Sequence, residues 1–266
     1  VPGIGRHLHL ARVTLSDDEL TRYTRHIVLK EVGGDGQHRF GAAHVVVIGA
    51  GGIGSPAIQY LAAAGIGRLT IVDDDRIDLS NLQRQTIYAT GDIGAAKADT
   101  AAAAARRINP HVEAVADRTR IDANTVAATL AGADAILDGC DNFATRLCVA
   151  DAAFTARVPL VSAAIGQFDG QLGVFRGWEA DKPCYRCFVG DDPDRAGVSC
   201  AEDGVLGPMA GAVGSLAALE VLRAIHPFGE DSAGKMVLID TLALRFRTLR
   251  LPKDPGCRTC GASSGV

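Results

Sequence analysis

A chain of 266 residues with a formal charge of −4 is long enough for a sizeable core and carries no field that would gather nucleic acid. Hydrophobic residues make up 47% of it, aromatics only 5%, and there are 31 glycines, which excludes disordered and fibrous chains and suits an α/β protein. Its longest apolar stretch, Met209 to Ile225, carries Glu220 and Arg223 towards its end, so no membrane span is expected, and the opening Val1-Pro-Gly-Ile-Gly-Arg6 is no signal peptide, so a soluble cytoplasmic protein is expected.

Ser16-Asp-Asp-Glu19 supplies an N-cap and first-turn acids, which predicts a helix continuing through Arg25. His44 to Ile48 is too uniformly apolar for a wet face and predicts a buried strand, with a helix from Gly52 to Ala64 after it. Leu69 to Val72 predicts the second strand, ending in Asp73-Asp-Asp75. The polar link Ser80 to Gln85 leads to an alanine-rich helix over about Ala95 to Arg107, closed by Pro110. Val112 to Ala116 is the third strand, and Asp122 caps the helix after it. Ala135 to Leu137 is the fourth strand, followed by Asp138-Gly-Cys-Asp-Asn142 and a helix over about Phe143 to Ala156; Pro159 to Ser162 is the fifth strand. This alternation predicts right-handed crossovers and a mostly parallel sheet with helices on both faces. The texture then changes. Gly166 to Gly177 has the short runs and the Asp-Gly pair of a β-hairpin, a helix is expected from Pro208 to His226, and Lys235 to Asp240 and Leu244 to Leu251 look like two more strands.

Gly49-Ala-Gly-Gly-Ile-Gly54 directly follows the first strand. Glycines there let backbone N–H groups approach a phosphate, and the helix N-terminus adds positive potential. Asp73, at the end of the next strand, can accept from ribose hydroxyls, whereas Asp74 and Asp75 read as a solvated loop. On its own this module fits an NAD-dependent oxidoreductase equally well. Cys184/Cys187 and Cys257/Cys260 form two Cys-x-x-Cys pairs suited to one tetrahedral Zn²⁺ held by four thiolates; a redox-active pair is the competing reading. A closed four-thiolate site has no open position for a catalytic water, so the metal's task would be structural.

Taken with Ser80-Asn-Leu-Gln-Arg-Gln85, Gly94-Ala-Ala-Lys97 and Arg22-Tyr-Thr-Arg25, these motifs resemble the ThiF/MoeB/HesA family, the ATP-dependent activators of ubiquitin-like sulfur-carrier proteins. The molybdopterin-synthase and thiamine-pathway adenylyltransferases belong there. The resemblance runs from Arg22 to Cys260. It implies a single adenylation domain on a Rossmann-like sheet, with a helical segment (1–40), a nucleotide-binding part (41–164) and a C-terminal antiparallel elaboration (165–266) that binds zinc and carrier.

The resemblance further implies adenylation of a carrier's C-terminal Gly-Gly carboxylate with ATP and Mg²⁺, releasing pyrophosphate, as a step towards molybdenum cofactor; a thiamine-pathway carrier is the nearest alternative. By motif position, Gly49, Gly51, Gly52 and Gly54 shape the nucleotide pocket, and Asp73 holds the ribose. Asn81 and Gln85 orient the nucleotide, Arg84 and Lys97 neutralise phosphate charge, and Asp141 binds Mg²⁺. The bland reading of Asp141 is a helix cap, with Asn142 as the alternative cap. Arg25 matches an arginine reaching across a homodimer into the partner's ATP site, with His26 standing where the family has glutamine. A carrier on each subunit would make a heterotetramer. Cys140 and Cys148 read as packing. Cys200, before Gly204-Val-Leu-Gly-Pro208, matches a cysteine that is covalently active in some relatives and not in others. The sequence after Cys260 suggests no rhodanese-like segment, so sulfur is expected from a separate donor. Outside this class the alternatives are the oxidoreductase and a non-catalytic zinc-stabilised binding scaffold.

Overall fold

The computed structural model describes residues 15–191 and 204–261. One mixed sheet runs through the molecule. Strands β1 (His44–Ile48), β2 (Arg68–Val72), β3 (Glu113–Asp117), β4 (Ala135–Asp138) and β5 (Leu160–Ile165) are parallel; β6 (Asp169–Phe175), β7 (Lys235–Asp240) and β8 (Arg245–Arg250) extend it antiparallel, in the order β3-β2-β1-β4-β5-β6-β7-β8. The parallel strands are nearly continuous runs of β-branched and aliphatic residues because both faces are covered, and Val45, Val46 and Val47 are fully buried.

The helices are α1 (Asp17–Arg22), α2 (Thr24–Ile27), α3 (Gly33–Ala42), α4 (Gly54–Ala64), α5 (Lys97–Ile108), α6 (Val126–Thr129), α7 (Phe143–Ala156), α8 (Tyr185–Val189) and α9 (Gly207–Ile225). On one side of the sheet α4 packs between α5 and α9, and Val45, Val47, Ile58, Leu61, Leu69 and Val213 share one core. Each such side chain contributes roughly 1.5–3 kcal/mol by leaving water. On the other side α6, α7 and α8 close a second core around Val46, Ile48, Ile136, Val149 and Leu160. The helix α9 is long and apolar enough to cross a bilayer, but it lies against α4 and the sheet with Val213, Ala217 and Val221 buried.

Ser16 caps α1 as the sequence predicts, its side chain accepting from the Glu19 N–H while Glu19 reaches back to the Ser16 N–H. Asp122 caps the turn leading into α6, accepting from the N–H groups of Asn124 and Thr125. The predicted hairpin within Gly166 to Gly177 does not form. Its residues contribute the single strand β6, which pairs back onto β5, and the reversal lies before Asp169, where the Gly166 N–H donates to the Asp169 carbonyl at 2.7 Å. Gly170 is therefore a packing notch rather than a turn glycine: a Cβ there would sit 2.4 Å from Met209 Cε and 2.7 Å from Val213 Cγ2 of α9.

Chain order places β2 and β3 on one side of β1 and β4 and β5 on the other. The loops after β1 and β4 therefore diverge at a topological switch point, where open α/β sheets bind their ligands.

Candidate active site and metal centre

Between β1 and α4 the chain turns through the glycine loop. Gly49 has φ +87° and donates its N–H to the Val72 carbonyl at 2.8 Å. A Cβ on Gly54 would lie 1.9 Å from the Gly49 carbonyl oxygen, so only glycine lets the loop close onto the helix start. Tyr88, buried in the wall behind the loop, donates its hydroxyl to the Ala50 carbonyl at 2.8 Å. Gly51 and Gly52 remain partly exposed, and the Gln85 and Arg84 side chains lie beside them: a Cβ on Gly51 would meet Gln85 Nε2 at 3.7 Å, and one on Gly52 would meet Arg84 Cδ at 3.7 Å. Gln85 is 3% exposed, yet its Oε1 accepts from nothing among the described residues. An unpaired buried acceptor costs about 1–3 kcal/mol, which a ligand donor would recover.

Asp73 is committed to shaping this loop. One carboxylate oxygen accepts the Ala50 N–H at 2.8 Å, and the other accepts the Asp75 N–H at 2.9 Å. Burial pushes its pKa above the usual carboxylate range, offset in part by Lys97 and these two N–H groups. Each oxygen keeps a second lone pair for a further donor. Asp75, read from sequence as a solvated loop residue, instead holds Lys97: Lys97 Nζ donates to Asp75 Oδ2 at 2.8 Å, and the Lys97 N–H donates to the Asp75 carbonyl at 3.0 Å.

Asn81 is occupied locally. Its Oδ1 accepts the Asp78 N–H at 3.1 Å while Asp78 Oδ1 accepts the Ser80 N–H at 2.8 Å, a reciprocal cap that winds the short turn Leu79–Asn81. Arg84 Nη1 donates back to the Ser80 carbonyl at 2.9 Å, which leaves the rest of its guanidinium available beside Gly52.

The second wall follows β4. Gly49 and Gly139 touch across the switch point, where a Cβ on Gly49 would meet the Gly139 carbonyl oxygen at 3.2 Å. Asn142 is the cap of α7, accepting the Thr145 N–H at 2.9 Å. Asp141 is thus free of capping; it is exposed and makes no hydrogen bond or ion pair among the described residues. Beneath it lies a buried network that motif reading missed. Arg146 Nη1 donates to Asp138 Oδ2 at 3.2 Å and to Ser162 Oγ at 3.0 Å, and Nη2 donates to the carbonyls of Ala163, at 2.8 Å, and Cys140. Burial disfavours the Arg146 charge, but the Asp138 carboxylate outweighs it and the guanidinium stays charged. Cys140 Sγ donates to Asp138 Oδ1 at 2.8 Å; burial and that carboxylate push its thiol well up, so it is inert packing, as expected from its place. Cys148 is half-buried on α7.

The four paired cysteines come together as the spacing predicts. Their sulfurs all lie within 4.8 Å of one another, with Cys184–Cys257 at 3.5 Å, Cys187–Cys260 at 3.3 Å and Cys184–Cys187 at 3.9 Å. A tetrahedron with zinc–sulfur bonds of about 2.3 Å separates its sulfurs by roughly 3.8 Å, so the cluster fits Zn²⁺, and the separations are far beyond a disulfide bond. The surroundings are built as well. Asp151 on α7 takes both arms of Arg186 at 2.8 and 2.7 Å and the Thr259 hydroxyl at 3.2 Å, and the Asp254 N–H donates to Cys187 Sγ at 3.4 Å.

Within one chain Arg25 does not join this constellation. It is exposed on α2, without a hydrogen bond or ion pair among the described residues, and α2 is anchored at the C-terminal end of α4, far from the glycine loop. Cys200 lies outside the described residues.

The profile of the ThiF family matches residues 23–259. The chain belongs to the ThiF family. The molybdopterin-synthase adenylyltransferase of Escherichia coli is 40% identical over 93% of this chain and 98% of its own length. The sulfur carrier protein adenylyltransferase of Thermus thermophilus is 43% identical over 92% of each chain. Among solved structures, that of E. coli MccB has the same fold, with a TM-score of 0.79 at 22% identity over 93% of this chain and 74% of its own. These relatives identify the chain as a member of a family of adenylyltransferases.

Proposed function

We propose that this ThiF-family chain adenylates the C-terminal Gly-Gly carboxylate of a ubiquitin-like sulfur-carrier protein in the cytoplasm, consuming ATP with Mg²⁺ and releasing pyrophosphate, as one adenylation domain. The carrier of molybdenum cofactor biosynthesis is our first choice, following the molybdopterin-synthase relative. The observation that carries this reading is the glycine loop at the switch point, fixed by Asp73 and flanked by Arg84 beside Gly52, with Lys97 held two residues beyond Asp73 on Asp75 and the segment leading to Asp141 meeting the loop at Gly139.

The reaction joins two anions. A carboxylate oxygen bonds to the α-phosphorus while the bond from that phosphorus to the bridging oxygen breaks, and the electron pair leaves with pyrophosphate. Positioned cations must therefore cancel ground-state repulsion and the charge growing on the leaving group. Lys97 supplies one from the first turn of α5 and Arg84 another from the rim of the loop. The glycine N–H groups and the N-terminus of α4 receive phosphate oxygens. Asp73 takes the ribose, Gln85 and Asn81 orient the nucleotide, and Asp141 is the free carboxylate that would hold Mg²⁺. Zn²⁺ on Cys184, Cys187, Cys257 and Cys260 would pin the tail to α7 and α8.

A cavity of about 530 Å³ lined by Phe143, Gly166, Asp169, Asp240, Arg245 and Arg247 opens beside the start of α7, two residues from Asp141, and supports entry of an extended carrier tail from the side of β8. Arg25 supports a homodimer, and with carriers a heterotetramer, because α4 separates its anchor from its own glycine loop by 11 residues, or about 16 Å of helix. In this reading Cys200 is the thiol that would meet the adenylate, and sulfur comes from a separate donor.

The test is carrier-dependent ATP–pyrophosphate exchange with molybdopterin-type and thiamine-type carriers in parallel. Exchange with one carrier, abolished by deleting its terminal glycine, is the expected result. No exchange with either, despite ATP binding, would reject adenylation of these carriers.

A further inference from the structure

Two buried amides tie the turn carrying Arg25 to the end of the helix that begins at the phosphate loop. Gln37 is fully buried on α3, and its Nε2 donates to the Ala64 carbonyl at 2.8 Å. A carbonyl only accepts, so the amide is oriented and its Oε1 is left as an acceptor. That oxygen lies 3.0 Å from His26 Nδ1, which must therefore carry the ring proton. Asn109, also fully buried, donates to the Ala62 carbonyl and to the Tyr23 hydroxyl, both at 2.8 Å. Gly65 has φ +80° and no room for a side chain, since a Cβ would lie 2.4 Å from the Tyr23 hydroxyl oxygen.

Among the terminal carbonyls of α4, Leu61 takes the Ile66 N–H, Ala62 takes the Gly65 N–H together with Asn109, and Ala64 takes Gln37. Both connections end on residues flanking Arg25, Tyr23 before it and His26 after it. The His26 ring also stands edge-on to Phe40, with centroids 6.5 Å apart, and Phe40 meets His226 in the same way at 6.3 Å. A helix of four residues has little stability of its own, yet it is fixed at two points while Arg25 between them is exposed and unpaired among the described residues.

We infer that His26 is a positioning residue for Arg25, acting through its Nδ1–H bond to Gln37 to set the Arg25 turn in register with the end of α4. This rests on the reading that Arg25 completes the ATP site of a second copy of the chain. Because α4 begins at the glycine loop, one helix then sets the position of a subunit's own phosphate cradle and of the arginine it lends.

The test is a cycle of variants assayed by ATP–pyrophosphate exchange with the active carrier, each confirmed as a folded dimer. His26→Gln keeps an N–H for Gln37, whereas His26→Leu keeps apolar contact with Phe40 but has no donor. Expected is a roughly tenfold lower kcat for His26→Leu, rates within about twofold of the parent for His26→Gln, and no further loss when His26→Leu is added to Arg25→Ala. Full activity of His26→Leu, or a loss that multiplies with that of Arg25→Ala, would overturn the inference. Full activity of Arg25→Ala would instead remove the shared-site reading, and the inference with it. The tautomer is read independently in the unaltered protein by ¹⁵N NMR of labelled histidines: an Nδ1-protonated His26 is expected, and an Nε2-protonated one overturns the bond to Gln37.

Discussion

Lys97 Nζ lies 2.8 Å from Asp75 Oδ2, with 8% of the lysine side chain exposed against 67% of the aspartate. The lysine is therefore the buried partner and the aspartate the wet one. An incoming triphosphate can draw Lys97 away while water solvates Asp75. Lys97→Met should lower exchange by roughly 10²–10³-fold, the usual loss for one preorganised charge-stabilising donor. Its unfolding midpoint should change little, because the abandoned carboxylate stays hydrated. A variant that retains most of its exchange activity would remove Lys97 from the chemistry.

Asp141 is exposed and Asn142 does the capping, so the two readings of this loop separate cleanly. Asp141→Asn should leave urea unfolding unchanged and abolish most exchange, with residual activity demanding more Mg²⁺. Asn142→Ala should do the reverse, costing about 1 kcal/mol of stability through the lost cap. If Asp141→Asn destabilised the fold as much as Asn142→Ala does, a structural role for Asp141 would be favoured.

Much of this was legible in the chain because strict strand–helix alternation leaves few topologies, and buried parallel strands read as unbroken apolar runs. The switch point itself needed the strand order, which alternation does not fix. What stayed hidden depends on which neighbour a crossover delivers. Asp74 and Asp75 look alike until the start of α5 comes up beside the second of them. Asp169-Gly170 looked like a turn because a turn glycine and a glycine under a pressing helix are the same letter, and only α9 tells them apart. Arg146 had a signal that went unread. It shares the buried face of α7 with Val149, Ala150 and Ala153, and a cation at such a position requires an internal partner.

That partner makes Arg146 a stability element. Asp138 is fully buried, and its Oδ2 accepts from both Arg146 and Ser162. Arg146→Met would strand the carboxylate and free the carbonyls of Cys140 and Ala163, at a cost of about 3–5 kcal/mol in denaturant unfolding. Ser162→Ala removes two hydrogen bonds, one donated to Asp138 and one accepted from Arg146, but leaves the ion pair, and should cost about 1–2 kcal/mol. An Arg146→Met protein as stable as the parent would mean the pair contributes nothing beyond what an apolar side chain supplies there.

The cysteine cluster predicts a metal whose loss is felt in the tail before the nucleotide site. Cys184 caps α8 and Cys187 lies within it, while Cys257 and Cys260 lie beyond β8, so the ion closes a long loop that Asp151, Arg186 and Thr259 only reinforce. One zinc per chain is expected by metal analysis. Stripping it with a strong chelator, or replacing Cys257 with Ser, should lower Tm by roughly 10 °C. ATP binding should survive, because the glycine loop, Asp73 and Lys97 are held by hydrogen bonds of β1, β2 and α5 that involve none of the four cysteines. Carrier-dependent exchange should fall further than ATP affinity does, since β8 and the cavity beside it adjoin the tail. Equal loss of both would place the metal under the whole fold, and an unchanged Tm after complete removal would reject a structural metal.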